Sequence, residues 1–168
     1  NPDAGDVSIA CHSTKDSSAV VVAASYTTSN VYTYTSAISC AYDTNGSTQC
    51  CGTATKIVID ASVTSIATNA FQACNSVTTV DFSGATALET IGDRAFWESD
   101  GLTSIDLSGA TALLHIGAWA FNSMSNLVSM KLSSSVTAID VHAFVLSKLG
   151  TAATVDFNGV NCATATSG

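Results

Sequence analysis

Ile91-Gly92-Asp93-Arg94-Ala95-Phe96 is the stretch that decides the fold, because its pattern Ile-x-x-x-Ala-Phe occurs four times in the chain. The other copies are Ile66–Phe71, Ile116–Phe121 and Ile139–Phe144, and successive phenylalanines are 25, 25 and 23 residues apart. A fixed period of this length is typical of repeat proteins in which each unit packs only on its neighbours.

A strand-like pattern begins six residues after each of the first three phenylalanines. Apolar and polar residues alternate there, so that Ile105 and Leu107 point inward while Ser104 and Asp106 face solvent. The Ala-Phe segment suits a helical or 3₁₀ turn whose apolar side closes the coil over that strand. The strand patterns are Val77-x-x-Val80-x-Phe82, Leu102-x-x-Ile105-x-Leu107 and Leu127-x-x-Met130-x-Leu132, and a further apolar column holds Val63, Leu88, Leu113 and Val136.

One copy cannot bury its own apolar faces, so the copies are expected to stack, with parallel strands about 4.8 Å apart. Ile57-Val58-Ile59 and Val155-Asp156-Phe157 occupy the strand position before the first copy and after the last. We therefore expect an α/β-type solenoid of about five parallel strands with short helical or 3₁₀ turns. A β-rich, disulfide-bonded cap is expected at its N-terminal end.

These copies resemble the BspA-like leucine-rich repeats, whose unit runs approximately L-x-x-I-x-[LI]-x-x-x-[VL]-x-x-I-x-x-x-A-F. The resemblance covers about 100 of the 168 residues, and residues 91–96 match it most specifically. The chain departs from the family in two extra residues within each Ser-Gly-Ala-Thr-Ala-Leu copy, and in using Thr and Ala where the family favours Pro, Asn or Lys. The resemblance implies secreted or cell-surface proteins that mediate adhesion and protein binding without catalysis, and it implies no fixed site residues.

Composition narrows the classes of partner. The chain has 5 Lys+Arg against 13 Asp+Glu, a net charge of −8, which disfavours nucleic acid and anionic membrane surfaces. No apolar run reaches the roughly 18 residues that a membrane-spanning helix needs. The chain begins at Asn1 without a charged and then apolar leader, which fits a mature secreted form or a trimmed chain. A secreted, extracellular or cell-surface location is the expectation.

The cysteines favour an oxidising compartment. Their number is even, and none of the paired spacings typical of a metal site is present, so we expect disulfides and no metal. Asn45-Gly46-Ser47 matches the acceptor pattern for N-glycosylation, which makes Asn45 a glycosylation candidate. The disulfide candidates are Cys11, Cys40, Cys50, Cys51, Cys74 and Cys162.

The chain divides into an N-terminal disulfide-rich cap at 1–55, a solenoid at 56–157 and a C-terminal cap or tail at 158–168. Residues 20–22 and 31–34 indicate strands in the N-terminal cap. Cys50 and Cys51 are adjacent, so disulfide geometry directs them to different partners. Cys74 lies three residues after Phe71 and is expected to tie the cap to the first coil.

Cys162 follows the last strand and therefore lies about four coil spacings, roughly 19 Å, from the first coil. A disulfide joins Cα atoms within about 7 Å. Two hypotheses remain open. Either the N-terminal segment runs along the solenoid and brings Cys11 to Cys162, or Cys162 bonds another molecule in a head-to-tail polymer.

No pattern of residues indicates catalysis or a cofactor. None of His12, His115 and His142 has a second ligand at metal-binding spacing, and the sequence contains no nucleophile elbow, phosphate loop or dinucleotide fingerprint. We therefore predict a protein that is not an enzyme, with no catalytic residues and no cofactor.

One outward strand face is the candidate partner-binding surface. Its residues would recognise a protein or glycan through hydrogen bonds and negative charge; the alternative is an ordinary solvated sheet face. Oxygen-rich columns also suit Ca²⁺, but no calcium-loop pattern is present, so no metal is predicted. Trp97 and Trp119 lie off the core positions and are either contact residues or packed against a neighbouring coil. The face comprises Thr79, Asp81, Ser104, Asp106, Ser129, Lys131, Thr154 and Asp156.

Three functions compete. The first is a non-catalytic extracellular adhesion or protein-binding module, and the second is a self-associating structural subunit of an extracellular filament, sheath or matrix. The third is an ice-binding solenoid, because regular Thr and Ser arrays with few charges suit ice contact. The charged column through Asp81, Asp106, Lys131 and Asp156 argues against the third.

Overall fold

The computed structural model of the chain describes residues 30–35, 51–144 and 154–156. Within them it forms ten short strands, and every strand pair is parallel. The strands are β1 (Val31–Tyr34), β2 (Lys56–Ile59), β3 (Ser65–Ile66), β4 (Thr79–Asp81), β5 (Thr90–Ile91), β6 (Ser104–Asp106), β7 (His115–Ile116), β8 (Ser129–Lys131), β9 (Ala138–Ile139) and β10 (Thr154–Asp156).

The strands form two columns, and every pair within a column is parallel. The fold is therefore a parallel-strand solenoid with one turn for each Ile-x-x-x-Ala-Phe copy. One column holds the sheets β1-β2-β4 and β6-β8-β10, and the other holds β3-β5-β7-β9. The first column occupies the predicted strand position, but β4 and β6 do not pair, so it is two three-stranded sheets instead of one sheet of five. The second column consists of two-residue strands that the repeat did not predict.

The predicted helical or 3₁₀ turns are wrong for the described residues, where the Ala-Phe segments are hydrogen-bonded turns and no helix occurs. The physical reason is that alternate N–H groups donate to the next coil instead of to their own segment. Asn69 N donates to Asp93 O at 2.9 Å, and Phe71 N donates to Ala95 O at 2.7 Å. Residues two before each phenylalanine take φ between 52° and 60°, which no right-handed helix allows; these are Asn69, Arg94, Trp119 and His142.

A row of phenylalanines runs through the core. Phe71, Phe96 and Phe121 are fully buried, and the row continues to Phe144. Successive ring centroids lie 5.1, 5.3 and 5.7 Å apart, and the ring planes of the last two pairs are nearly parallel. The stacked row and the aliphatic columns beside it form one continuous core, as the period of the repeat predicts.

Tyr34 closes the N-terminal end of this row. Its ring packs edge-on against Phe71 at 5.1 Å, and its hydroxyl accepts a hydrogen bond from the N–H of Ala67 at 3.4 Å. In the later coils the equivalent N–H groups donate to an Ile carbonyl of the preceding coil, for example Gly92 N to Ile66 O. The Tyr34 hydroxyl thus takes the place that a backbone carbonyl of the preceding coil has in the later coils.

Replacing Tyr34 with Phe is expected to lower the free energy of unfolding by about 1 kcal/mol, because the Ala67 N–H loses its acceptor.

Burial raises the pKa of Tyr34. The folded state therefore holds this proton longer than the unfolded state, and native stability falls as pH rises above about 10. Urea denaturation at pH 7 and at alkaline pH measures both effects. If Tyr34→Phe lost as much stability at alkaline pH as the wild type, a group other than Tyr34 would cause that loss.

The turns between the two strand columns are longer in two coils. Residues 83–87 and 108–112 form these longer turns, whereas the corresponding turns after Ile59 and Leu132 are two residues shorter. Gly109 therefore lies on a long turn, and a Cβ there would be 2.5 Å from Phe82 O and 2.7 Å from Ser83 Cα. Gly84, in the same local sequence, has nothing within 4 Å because the turn beneath it is short.

This pair of glycines provides a matched test of the stacking. Gly109→Ala is expected to destabilise the protein by about 1–3 kcal/mol, because the methyl group meets backbone that cannot move aside without disturbing the coil. Gly84→Ala is expected to change stability by less than about 0.5 kcal/mol. Thermal and urea unfolding of the two variants measure the difference. Equal effects at both glycines would mean that the two long turns do not stack.

One disulfide lies within the described residues. Cys51 and Cys74 are bonded, with Cα atoms 5.8 Å apart, and both are buried. The bond joins the residues before β2 to the first coil. The other disulfide candidates, Asn45, most of the N-terminal cap and the C-terminal tail lie outside the described residues, and the domain limits stay predictions.

Candidate partner-binding surface

The predicted strand face is present as two adjacent columns of side chains. Ser104 pairs in register with Ser129, and Asp106 with Lys131. β10 extends the strand register, in which Thr154 pairs with Ser129 and Asp156 with Lys131. Thr79 and Asp81 come from β4, which belongs to the neighbouring three-stranded sheet. Thr79, Ser104, Asp106 and Asp156 are exposed, whereas Asp81, Ser129 and Lys131 are half-buried.

The carboxylates of this face are held by their own chain. Asp81 Oδ1 accepts hydrogen bonds from Ser83 N at 3.0 Å and Ser83 Oγ at 2.6 Å. Asp106 Oδ1 accepts the same pair from Ser108. Such turns occupy one carboxylate oxygen and fix the direction of the carboxylate, so Asp106 presents its remaining oxygen in a set position.

Lysines offset much of the negative charge on the face. Lys56 Nζ lies 2.9 Å from Asp81 Oδ2. The contact is diagonal across the strands, because the residue in register with Lys56 is Thr79, two positions before Asp81. Lys131 stands in the column between Asp106 and Asp156. The face is therefore a pattern of hydroxyls and alternating charges, and is less negative than the sequence suggested.

The Ser83 hydrogen bonds, followed by Lys56, lower the pKa of Asp81 to about 2, and the Ser108 hydroxyl lowers the pKa of Asp106. A carboxyl group whose pKa is lowered by folding contributes stability at pH values above its unfolded-state pKa of about 4. This contribution is lost as the pH falls toward 2. We expect Ser83→Ala to raise the pKa of Asp81 and leave that of Asp106 unchanged, with Ser108→Ala doing the reverse. Carboxyl ¹³C chemical shifts followed between pH 1.5 and 6 measure both. A pKa of Asp81 that is unaffected by Ser83→Ala would show that the hydroxyl does not hold it.

A second surface lies on the side of the Ala-Phe turns, where three residues at equivalent positions of successive coils stack on one another. The guanidinium carbon of Arg94 is 4.8 Å from the ring centre of Trp119, and the His142 ring stacks on Trp119 at 5.8 Å with 11° between the planes. Trp97 lies beside them, with its ring centre 5.6 Å from the Arg94 guanidinium carbon. We call these four residues the cation–aromatic ladder.

The ladder resolves where Trp119 packs: its neighbours are side chains of the coils on either side of it. Sequence reasoning singled out the two tryptophans but missed Arg94 and His142. The signal was available, because Arg94, Trp119 and His142 all stand two residues before the phenylalanine of their copy.

Other polar pairs join neighbouring coils. His115 Nε2 lies 3.0 Å from Asp140 Oδ2. Asp100 Oδ1 accepts hydrogen bonds from the N and Oγ of Ser125, both at 2.7 Å. Among the described residues, no group of three or more His, Cys, Asp or Glu side chains could hold a metal ion. In the same part of the chain, no helix is long and apolar enough to cross a membrane.

Comparison with known proteins identifies the repeat. A family model described as BspA type leucine-rich repeat region matches residues 45–158 in 6 copies. The crystal structure of a leucine-rich repeat protein of T. pallidum, TpLRR, is similar at 20% sequence identity and a TM-score of 0.40 over 69% of this chain. The matched part is 60% of that protein, so the chain spans less than two thirds of its length. No curated protein matches the chain. The repeat match covers more than half of the sequence, and the chain belongs to the family of BspA-type leucine-rich repeat proteins.

Proposed function

We propose that the protein is a non-catalytic extracellular module that binds a protein partner through the strand face of its solenoid. Leucine-rich repeats of this family generally form binding scaffolds without catalysis, and BspA-type proteins are typically secreted or on the cell surface. The buried disulfide between Cys51 and Cys74 supports an oxidising compartment.

The observation that carries the proposal is the two-column strand face. Its hydroxyl and charged side chains stand on parallel strands that a continuous core holds rigid, so a partner would meet them already ordered. Pre-ordered contact groups lower the entropic cost of binding. Alternating charges give selectivity for a complementary pattern more than raw affinity. A protein is favoured over a glycan because the described residues of this face include no exposed aromatic ring on which a sugar could stack.

Site-specific photocrosslinking tests this proposal. A benzophenone amino acid placed at Thr79, at Ser104 or at Ser129 is expected to crosslink one and the same protein on the surface of cells that produce the chain. Placed at Thr86 or Thr111, which are exposed on the long turns, it is expected to leave that protein uncrosslinked. Crosslinks from the turn positions alone, or from none of the strand positions, would reject the strand face.

The second candidate is a head-to-tail structural subunit of a filament, sheath or matrix. It is favoured by the all-parallel stacking, because a second copy could add its first strand to the last strand of a column in the same direction. β9 ends its column among the described strands, with Ala138 exposed and Ile139 half-buried. A ladder of sizes on a non-reducing gel that collapses to about 17 kDa with reductant would support it. A single monomer band together with a monomeric mass in solution would reject it.

A further inference from the structure

The cation–aromatic ladder concentrates side chains that are scarce in this chain. Arg94 is its single arginine, and Trp97 and Trp119 are its two tryptophans. Arg94 and His142 are exposed, whereas both tryptophans are half-buried. Val141, next to His142 in the chain, is 59% exposed. This side of the solenoid therefore combines a permanent cation with partly accessible apolar surface, in a chain whose net charge is −8.

Arg94 lies beside two aromatic rings and, among the described residues, pairs with no carboxylate. The two ion pairs among residues 30–35, 51–144 and 154–156 are Lys56–Asp81 and His115–Asp140, and Arg94 belongs to neither. Its side chain also makes no hydrogen bond within the described part of the chain. A guanidinium held over an indole keeps its in-plane N–H donors, and their fork matches a carboxylate in a bidentate way.

We infer that the ladder is a second contact surface, where Arg94 binds a carboxylate of a protein partner and the tryptophans contact an apolar residue beside it. The inference rests on the proposed function in taking the partner to be a protein. Trp and Arg are the residues that most often dominate binding energy at protein interfaces. Stacking between coils holds Arg94, Trp119 and His142 in place before binding, which reduces the entropy lost on association.

The charge of the chain restricts the partner further. A chain with a net charge of −8 repels an extended acidic segment, and the attraction of the single Arg94 guanidinium does not offset that repulsion. The complementary segment therefore carries one carboxylate flanked by apolar residues instead of an acidic run. Hippurate, the anion of N-benzoylglycine, is a small probe that carries both a carboxylate and an apolar ring. Hippuramide has a neutral amide in place of the carboxylate.

Titration followed by ¹⁵N NMR tests the inference. Hippurate is expected to shift the indole N–H signals of Trp97 and Trp119 and the Nε–H signal of Arg94 in a saturable way, at least about tenfold more tightly than hippuramide. Arg94→Gln is expected to abolish the effect. Arg94→Lys keeps the charge and loses the fork, and is expected to bind at least about tenfold more weakly. Lys131→Gln, a cation of the strand face, serves as the control and is expected to leave binding unchanged.

Three results would overturn the inference. They are equal binding of hippuramide, undiminished hippurate binding by Arg94→Lys, and tighter binding of methyl glucuronide than of hippurate. The last result would make the ligand an acidic glycan. The dispersion of the amide signals of each variant shows whether that variant is folded. If Arg94→Gln is not folded, the result for Arg94→Lys decides whether the guanidinium binds the carboxylate. Because hippurate binding does not involve the strand face and the crosslinking does not involve Arg94, either proposal can fail without the other.

Discussion

Replacing Phe96 with alanine is expected to lower the free energy of unfolding by about 3–5 kcal/mol. The Phe96 side chain is fully buried, and its ring centre lies 5.1 Å from that of Phe71, 5.3 Å from that of Phe121 and 6.2 Å from that of Phe82. Its removal opens a cavity bordered by three rings that their own neighbours hold in place. Since stability in a solenoid depends on contacts between adjacent coils, the loss uncouples the first coil from the third.

Urea denaturation followed by circular dichroism measures this loss, with two controls. Leu114→Ala removes a side chain that is 48% exposed and is expected to change stability by less than about 0.5 kcal/mol. Phe144→Ala, at the end of the row, removes a half-buried ring with a single stacked neighbour in the described row, so its cost is expected to fall between the other two. A cost for Phe96→Ala no larger than that for Leu114→Ala would mean that the rings do not form the core.

The core could be predicted from the sequence because each of its columns repeats at a fixed interval. An aromatic residue at the same place in every copy can be buried only if the copies stack, and the rings of Phe71, Phe96 and Phe121 do so. The two-residue strands of the second column could not be predicted, because two residues are too few to show an alternation. The break between β4 and β6 leaves no sign in the sequence either.

The wrong prediction of helical turns has a tertiary cause. Asn69, Arg94, Trp119 and His142 share a positive φ, and although Asn and His favour that region, Arg and Trp do not, so residue type alone did not indicate the conformation. Hydrogen bonds from one coil to the next impose it, and these exist only once the coils have stacked. Local sequence preference is weak information where contacts between distant residues determine the backbone.

The candidate surfaces were predictable to different degrees. The outward columns of the strand face follow from strand alternation and from the repeat, and the observed register of Asp106 with Lys131 agrees with that spacing. The ion pair of Lys56 with Asp81 was missed because it runs diagonally between register positions.

Removing the disulfide between Cys51 and Cys74 is expected to lower the free energy of unfolding by about 3 kcal/mol. The bond closes a loop and so reduces the conformational entropy of the unfolded chain, and this effect depends on the length of the loop. The two cysteines are 23 residues apart, and both sulfur atoms are buried against the first coil. In a chain of this size the loss corresponds to a fall of about 6–12 °C in the unfolding midpoint. The effect is expected to exceed simple loss of a contact, since the bond also joins the residues before β2 to the first coil.

The double variant Cys51→Ala/Cys74→Ala isolates this contribution. We expect each single variant to lose about as much stability as the double variant, because either substitution breaks the same bond. The position of Cys74 is occupied by Ser99 in the next copy, where the serine hydroxyl donates to Phe71 O at 2.6 Å, so Cys74→Ser tests whether a polar side chain fits there without the bond. Calorimetry with and without reductant completes the test. Adding reductant is expected to lower the unfolding midpoint of the wild type by more than that of the double variant. A wild type that loses no more than the double variant would mean that the Cys51–Cys74 bond contributes nothing to stability, and that the stacked core alone closes the first coil.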